Sequence, residues 1–423
     1  MKRKKHINVE KIMNHNIPQV KLKNKTLVYL LLAMGFFILF KFFEPIFVYN
    51  FGWMKLPNSK TLSMNSELFD EKWAIAGVKL EKQLPQLFNK LEAPGLSMAV
   101  AIDGQLAWRS TIGYADINKK VAVNYKSKFR IGSTSKAVTS VAIGALYNKG
   151  LINFDSPIKE LDPSLPEIFN SITLKQVMSH RSGIRNYGTC ICFPIWEHLN
   201  NKKFSSIRDA VIVIENDPLE FKPGEHFKYT SLGFNLAGLV AEKTTGLSFS
   251  EVLNKEVFQP LNMVNTSLEL SVVSNVNLVS LYQIEDKQYK LEFPVDNSIR
   301  WPSGGIISTP TDMVLLGSAM LDERLFSKES HKQLLTIPKK GRDNGGDIYA
   351  LGWRVNNWII DNSTLQTYNH NGIAVGSTSV FVIFPEHDIV VSAMINKSSN
   401  SIGDLTEVVK KVTSLFLLNQ SED

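Results

Sequence analysis

Cysteine is scarce in this chain: only Cys190 and Cys192 occur, one residue apart in "TCIC". That supply excludes a disulfide scaffold. A bridge across one intervening residue would be strained, and two cysteines do not close a zinc site. The pair is expected to be a loop feature without catalytic function. His-Glu-x-x-His and His-x-His-x-Asp patterns are also missing, so the sequence offers nothing to a metallo-hydrolase. No metal or organic cofactor is expected. There is no internal repeat and no long low-complexity tract.

Excess charge is absent from most of the chain. The formal net charge is +7, yet residues 1–25 hold eight Lys and Arg against Glu10 alone, so the rest is neutral. A nucleic-acid footprint needs a basic face on the folded part, and none is expected. Long apolar runs are rare too. The exception, "LVYLLLAMGFFILF", covers Leu27–Phe40 and is followed by Lys41, Phe42, Phe43 and Glu44-Pro45. If Lys41 snorkels, the run approaches the lower limit of about 17 residues for a span. No small-residue cleavage site follows it, which favours an uncleaved signal anchor over a removed signal peptide. The expected organisation is a basic cytoplasmic tail (1–25), a transmembrane anchor (26–45), a linker (46–65) and a globular domain (66–423). The positive-inside rule then puts that domain on the periplasmic or extracytoplasmic side.

Periodicity supplies the elements. Apolar residues from Leu68 to Leu91 recur at helical spacing. "GLSMAVAIDGQLAWRSTIGYA" reads as two strands joined at Asp103-Gly104. A helix is expected over Ala137–Asn148, stopped by Gly150, and another over Leu232–Thr245, closed by Gly246. In "STPTDM", Thr309 caps a helix with Pro310 at its first position. "STSVFVIFPEHDIVVSAMI" forms a second hairpin, and a final helix carries Ile402, Leu405, Val408, Val409, Val412, Leu415 and Phe416 on one stripe. Strands thus lie at both ends of the globular part and helices in its middle. The fold class is α+β: an antiparallel sheet flanked by helices, with an inserted, mainly helical region and a cleft between the two.

The chemistry centres on "FRIGSTSKAVTS", Phe129–Ser140. Ser133 ends an extended segment and opens a long apolar helix. Lys136, three residues on, lies on the same face. A serine here can simply cap a helix. It can also be a nucleophile, because a buried lysine loses basicity and can take the serine proton. Ser-x-x-Lys recurs at Ser156-Pro157-Ile158-Lys159, but Pro157 and the lack of a following apolar helix make that copy a turn. Two further stretches bear on the choice: "YTSLGFNLAGLVAE", with Tyr229 and Ser231 before a helix, and "YNHNGIAVGSTSV", with His370, Asn371 and Gly372.

With these three motifs in order, the chain resembles the serine β-lactamase and penicillin-binding protein superfamily, in its class C and D-alanyl-D-alanine peptidase branch. Within that branch it is most similar to the mitochondrial serine β-lactamase-like group. "PGLSMAVAIDG", "VMSHRSGI", "KPGEHFKYTS", "WPSGGIISTPTDM" and "HNGIAVGSTSVFVIFPE" match as well, over about residues 85–415. The resemblance implies a serine β-lactamase/transpeptidase-like fold and an acyl-enzyme hydrolase. Ser133 would be the nucleophile, Lys136 its proton acceptor, and Tyr229 partner base and later acid. The backbone N–H groups of Ser133 and Ile373 would form the oxyanion hole. Ser231, His370, Asn371 and Gly372 would contact substrate, with Ser231 and His370 replacing the commoner Asn and Lys. His180 and Ser182 would be structural, and Gly304-Gly305 would allow a close backbone approach near the site. The substrate would be a peptide, an ester or a β-lactam, with peptides or esters preferred. A true β-lactamase, a D-Ala-D-Ala carboxypeptidase and a non-catalytic sensor with this fold are the alternatives.

Overall fold

The computed structural model describes residues 24–58, 62–189, 196–199, 201–270, 276–322, 324–398 and 402–420. Cys190 and Cys192 lie outside them. The chain divides into two compact units, Met1–Trp53 and Met54–Asp423. In the first, α1 (Asn24–Asn50) covers the segment expected to be an anchor. No helix among the described residues is long and apolar enough to cross a membrane.

The second unit is built on an antiparallel sheet. Its strands are β1 (Met64–Leu68), β2 (Gly95–Ile102), β3 (Gln105–Asp116), β4 (Arg354–Ile360), β5 (Ser363–Ala374), β6 (Ser377–Phe384) and β7 (Ile389–Ile395). They lie in the order β4-β5-β6-β7-β2-β3-β1, and Val121–Ala122 adds a short pairing to β3. Strands from the two ends of the unit meet at the centre, where β7 pairs with β2. The hairpin expected at Asp103-Gly104 is present, with both residues at positive φ as a two-residue primed turn requires.

The central strands are buried on both faces, so their alternation sorts side chains between two cores. Leu96, Met98, Val100, Val391 and Ala393 face α2 (Ala74–Leu91) and the C-terminal helix Gly403–Gln420. Ala99, Ala101, Val390 and Met394 face the helical region. There α3 (Ser135–Asn148) is buried almost throughout; it ends at Gly150, which has φ +69°. α4 (Ser231–Thr245) ends at Gly246, whose N–H bonds the Glu242 carbonyl. α5 (Pro310–Ala319) starts at Thr309, whose Oγ1 accepts from Asp312 N at 3.2 Å. One boundary differs from the sequence reading. Residues 66–68 belong to the edge strand β1, where Glu67 pairs with Arg109 across β3, and α2 begins only at Ala74. Helical spacing ran on through Leu68 by chance; pairing with β3 decided the outcome.

α5 packs very closely on the sheet: a Cβ on Gly317 would stand 2.3 Å from a Val390 methyl and 3.1 Å from the Phe381 ring. Gly317→Ala gains about 1 kcal/mol of helix propensity but overpacks the seam by about 1–3 kcal/mol. Urea denaturation is expected to show a net loss of stability; a more stable variant would contradict this packing.

Candidate active site

The segment that carries Ser133 is held on three sides. Phe129–Arg130 pairs with Ile306–Ser308. Buried Arg130 donates to both Glu269 carboxylate oxygens at 2.8 and 2.7 Å, and to the Val375 carbonyl at 2.8 Å. A one-turn 3₁₀ helix, Gly132–Thr134, then leads into α3. Gly132 has φ +50°, and a Cβ there would lie 2.7 Å from the Ile373 carbonyl oxygen. Two hydroxyls close the seam. Thr134 Oγ1 lies 3.2 Å from the His370 carbonyl oxygen and 2.9 Å from Ser379 Oγ, which donates to the Ile131 carbonyl at 2.8 Å. The backbones of Ser133 and Ile373 are thereby neighbours, although their residues are 240 positions apart.

Lys136 is fully buried at the start of α3. Its Nζ lies 2.8 Å from the Ser303 carbonyl oxygen, 3.1 Å from Ser231 Oγ and 3.3 Å from Ser133 Oγ. Burial, followed by the charges of Arg354 and Arg300, holds its pKa well below the usual lysine value. A neutral amine has two hydrogens and one lone pair. The carbonyl and Ser231 can take the hydrogens, leaving the lone pair for the Ser133 proton. The second copy of the motif does something else: Lys159 pairs with Glu167 on the surface.

Tyr229 precedes α4 with its ring 4.7 Å from Lys136 Nζ. Burial pushes its hydroxyl up to about 12, and the Ser133 hydroxyl pulls part of the way back. The hydroxyl is buried without a hydrogen-bond partner of good geometry. It is therefore protonated at neutral pH and suits a proton donor better than a resting base. Ser231, the first residue of α4, is fixed by its own N–H to Asn186 Oδ1 at 2.9 Å. Its hydroxyl is committed to Lys136.

The third motif differs most from the sequence reading. His370, Asn371 and Gly372 lie on β5, a long strand that the sequence did not reveal and that pairs with β6 of the last hairpin. The His370 side chain is buried with both ring nitrogens engaged. Nδ1 is 2.8 Å from the Asn371 carbonyl oxygen and Nε2 is 2.8 Å from Tyr349 Oη. A carbonyl can only accept, so Nδ1 carries the hydrogen and Tyr349 donates to Nε2. Burial, then Arg354 and Lys136, depress its pKa well below the usual histidine value. His370 is a neutral group with both ring nitrogens satisfied, so it does not supply the charge of the commoner Lys. Gly372 also serves another purpose. A Cβ there would stand 1.9 Å from the Ile131 carbonyl oxygen and 2.7 Å from Ser379 Oγ. The chain's own backbone, rather than a substrate, demands the glycine. Asn371 Oδ1 is buried and unpartnered.

Arg354, which the sequence reading missed, and His180, which it took as structural, complete the site. Arg354, at the start of β4, acts electrostatically on Lys136, Tyr229 and His370. Its Nη1 is buried without a partner. His180, at φ +58°, is buried with its ring 4.2 Å from that of Tyr229 and 4.6 Å from that of Tyr349. Only folding brings these positions together; neither spacing nor composition marks Arg354. A separate cavity of about 530 Å³ is lined by Asp116, Lys119, Asn124, Ser127 and Glu292. It includes none of Ser133, Lys136 and Tyr229, so the convergent side chains locate the chemistry and the cavity does not.

A family model described as Beta-lactamase matches residues 78–410. The human "Serine beta-lactamase-like protein LACTB, mitochondrial" is 26% identical over 394 residues, covering 72% of this chain and 71% of its own. D-amino acid amidase from Ochrobactrum anthropi superposes with a TM-score of 0.67 at 20% identity, over 80% of this chain and 99% of its own. FmtA from Staphylococcus aureus does so with 0.66 at 21% identity, over 84% and 94%. At these identities the two structures speak for the fold: an antiparallel sheet with a helical region, as the sequence reading expected.

Gly372→Ala is expected to force β5 away from the Ser133 turn and to cost about 1–3 kcal/mol. Chemical denaturation measures it, and wild-type stability in this variant would contradict the geometry.

Proposed function

Because the chain belongs to the β-lactamase family, we propose that it is a serine hydrolase cleaving amide or ester bonds through an acyl-enzyme on Ser133. The observation that carries this reading is the buried, carboxylate-free contact of Lys136 with Ser133. A lysine kept for structure alone would be expected to meet a carboxylate. Here the contacts are two hydroxyls and a carbonyl, and the charges that act on it are arginines.

In this mechanism neutral Lys136 takes the Ser133 proton as Oγ attacks the carbonyl carbon. The N–H groups of Ser133 and Ile373 hold the resulting oxyanion. Tyr229 gives its proton to the leaving nitrogen or oxygen and recovers one from the Lys136 ammonium. Water then attacks the acyl carbon, its proton passes to Lys136, again neutral, and Lys136 returns a proton to Ser133 Oγ as the acyl group leaves. Peptides and esters are the preferred substrates, with β-lactams turned over weakly. His370 offers no permanent charge for a β-lactam carboxylate. Arg354 supplies a cation near that position, which favours a peptide with a terminal carboxylate as the second reading, as in a D-Ala-D-Ala carboxypeptidase.

Ser133→Ala and Lys136→Ala should each lower kcat/KM about a thousandfold or more, and the double variant should be no worse than either, because the two act as one unit. Tyr229→Phe should lose about a hundredfold. A purified Ser133→Ala protein within tenfold of wild type on peptide and ester substrates would refute the acyl-enzyme.

The proposal includes an extracytoplasmic domain anchored by α1, supported by the basic tail before it and the exposed apolar side chains from Leu27 to Phe40. The short run is completed by snorkelling of Lys41. Full-length protein should remain with membranes after a carbonate wash and be digested by protease added from outside the cell. Release by carbonate would overturn the anchor.

A further inference from the structure

Arg300 stands just ahead of the short helix Trp301–Gly304, whose Ser303 carbonyl accepts from Lys136. Its neighbours in this region each meet a carboxylate: Arg130 with Glu269, Arg185 with Glu197 and Asp217, Arg208 with Glu215. Among the described residues Arg300 meets none. Its guanidinium sits 5.0 Å from the centre of the Tyr187 ring, and Nη2 donates to the His198 carbonyl. Its Nε is buried with no partner, and so is the Tyr187 hydroxyl. Buried donors without acceptors are rare in folded proteins and mark places where something else supplies the acceptor. The guanidinium over the Tyr187 ring and the phenol hydroxyl each leave a donor that a carboxylate can accept from.

Arg300 also acts on Lys136 from the helical region, as Arg354 does from the sheet. Two cations therefore act on Lys136, and no acid is among the charges shaping it. Such a field draws anions. Resting on the serine-hydrolase reading, we propose that Arg300 and Tyr187 form a carboxylate subsite on the helical side of the scissile bond, separate from Arg354. The preferred substrates then carry an acidic group on each side of that bond, as an acidic peptide or a dicarboxylic ester does.

Two series of chromogenic esters test this. One places a carboxylate on the acyl part, the other on the leaving part, and each is paired with its neutral carboxamide. The readout is the ratio of kcat/KM, acid over amide. Wild type should favour the acid by about 10- to 100-fold in both series, the range of a charge-assisted hydrogen bond. Arg300→Gln should reduce the ratio to near one in a single series, whichever way the neutral ester moves, and Arg354→Gln should do so in the other. Tyr187→Phe should lower the same series as Arg300→Gln, by less, and it tests the subsite even where Arg300→Gln fails to fold. Unchanged ratios in both variants, or both arginines acting on the same series, would overturn the subsite. Ser133→Ala serves as the control. If it still hydrolyses the neutral esters, the hydrolase reading fails; if it does not and the ratios are flat, only the subsite fails.

Discussion

Everything at this site turns on one buried amine. A lysine placed in a protein interior must lose its proton or find a negative partner. Lys136 finds a carbonyl and two hydroxyls instead, and two arginines, Arg354 and Arg300, act on it electrostatically. The surroundings favour the neutral amine. In the proposed mechanism that suits Lys136 to be the base, and the same burial keeps Tyr229 protonated as the acid. Acid and base roles thus separate because one low-dielectric setting shifts the two groups in opposite directions.

The base is useful only if Ser133 stays beside a donor that can meet an oxyanion. That demand explains the seam between the Ser133 turn and β5. Gly132 and Gly372 remove side chains where two backbones nearly touch. Thr134 and Ser379 bind the turn to the strand, and Arg130 ties the preceding strand to the loop after β5. His370 belongs to this scaffold: locked between Tyr349 and its own backbone, it stiffens the strand and carries no charge.

Local chemistry was readable from the sequence, and distant pairing was not. Asp103-Gly104, Gly150, Gly246 and the Thr309 cap act within a few residues, and each appears where its turn or cap chemistry placed it. The family motifs located Ser133, Lys136 and Tyr229 because their order along the chain survives in the fold. β4 and β5 were missed because "RVNNWIIDNSTLQTYNH" is about two-thirds polar and turns at Asp361-Asn362, a weak signal that nevertheless takes positive φ at both residues. Missing that hairpin hid Arg354, and it left the burial of His370 unseen. Arg300 was illegible for a different reason: nothing in a sequence shows that an arginine lacks a carboxylate.

The most direct test of the account is the pH dependence of Ser133 acylation by a fluorescent phosphonate, from about pH 6 to about pH 10. Protonated Lys136 cannot take the serine proton, so the rate should fall as pH drops through the lysine pKa. The account predicts a midpoint well below the usual lysine value in the wild type. In Arg354→Gln, which loses a cation that disfavours the ammonium, the midpoint should move upward. A rate that climbs only near the ordinary lysine pKa, or a midpoint indifferent to Arg354, would contradict the claim that burial and cationic neighbours make Lys136 the base.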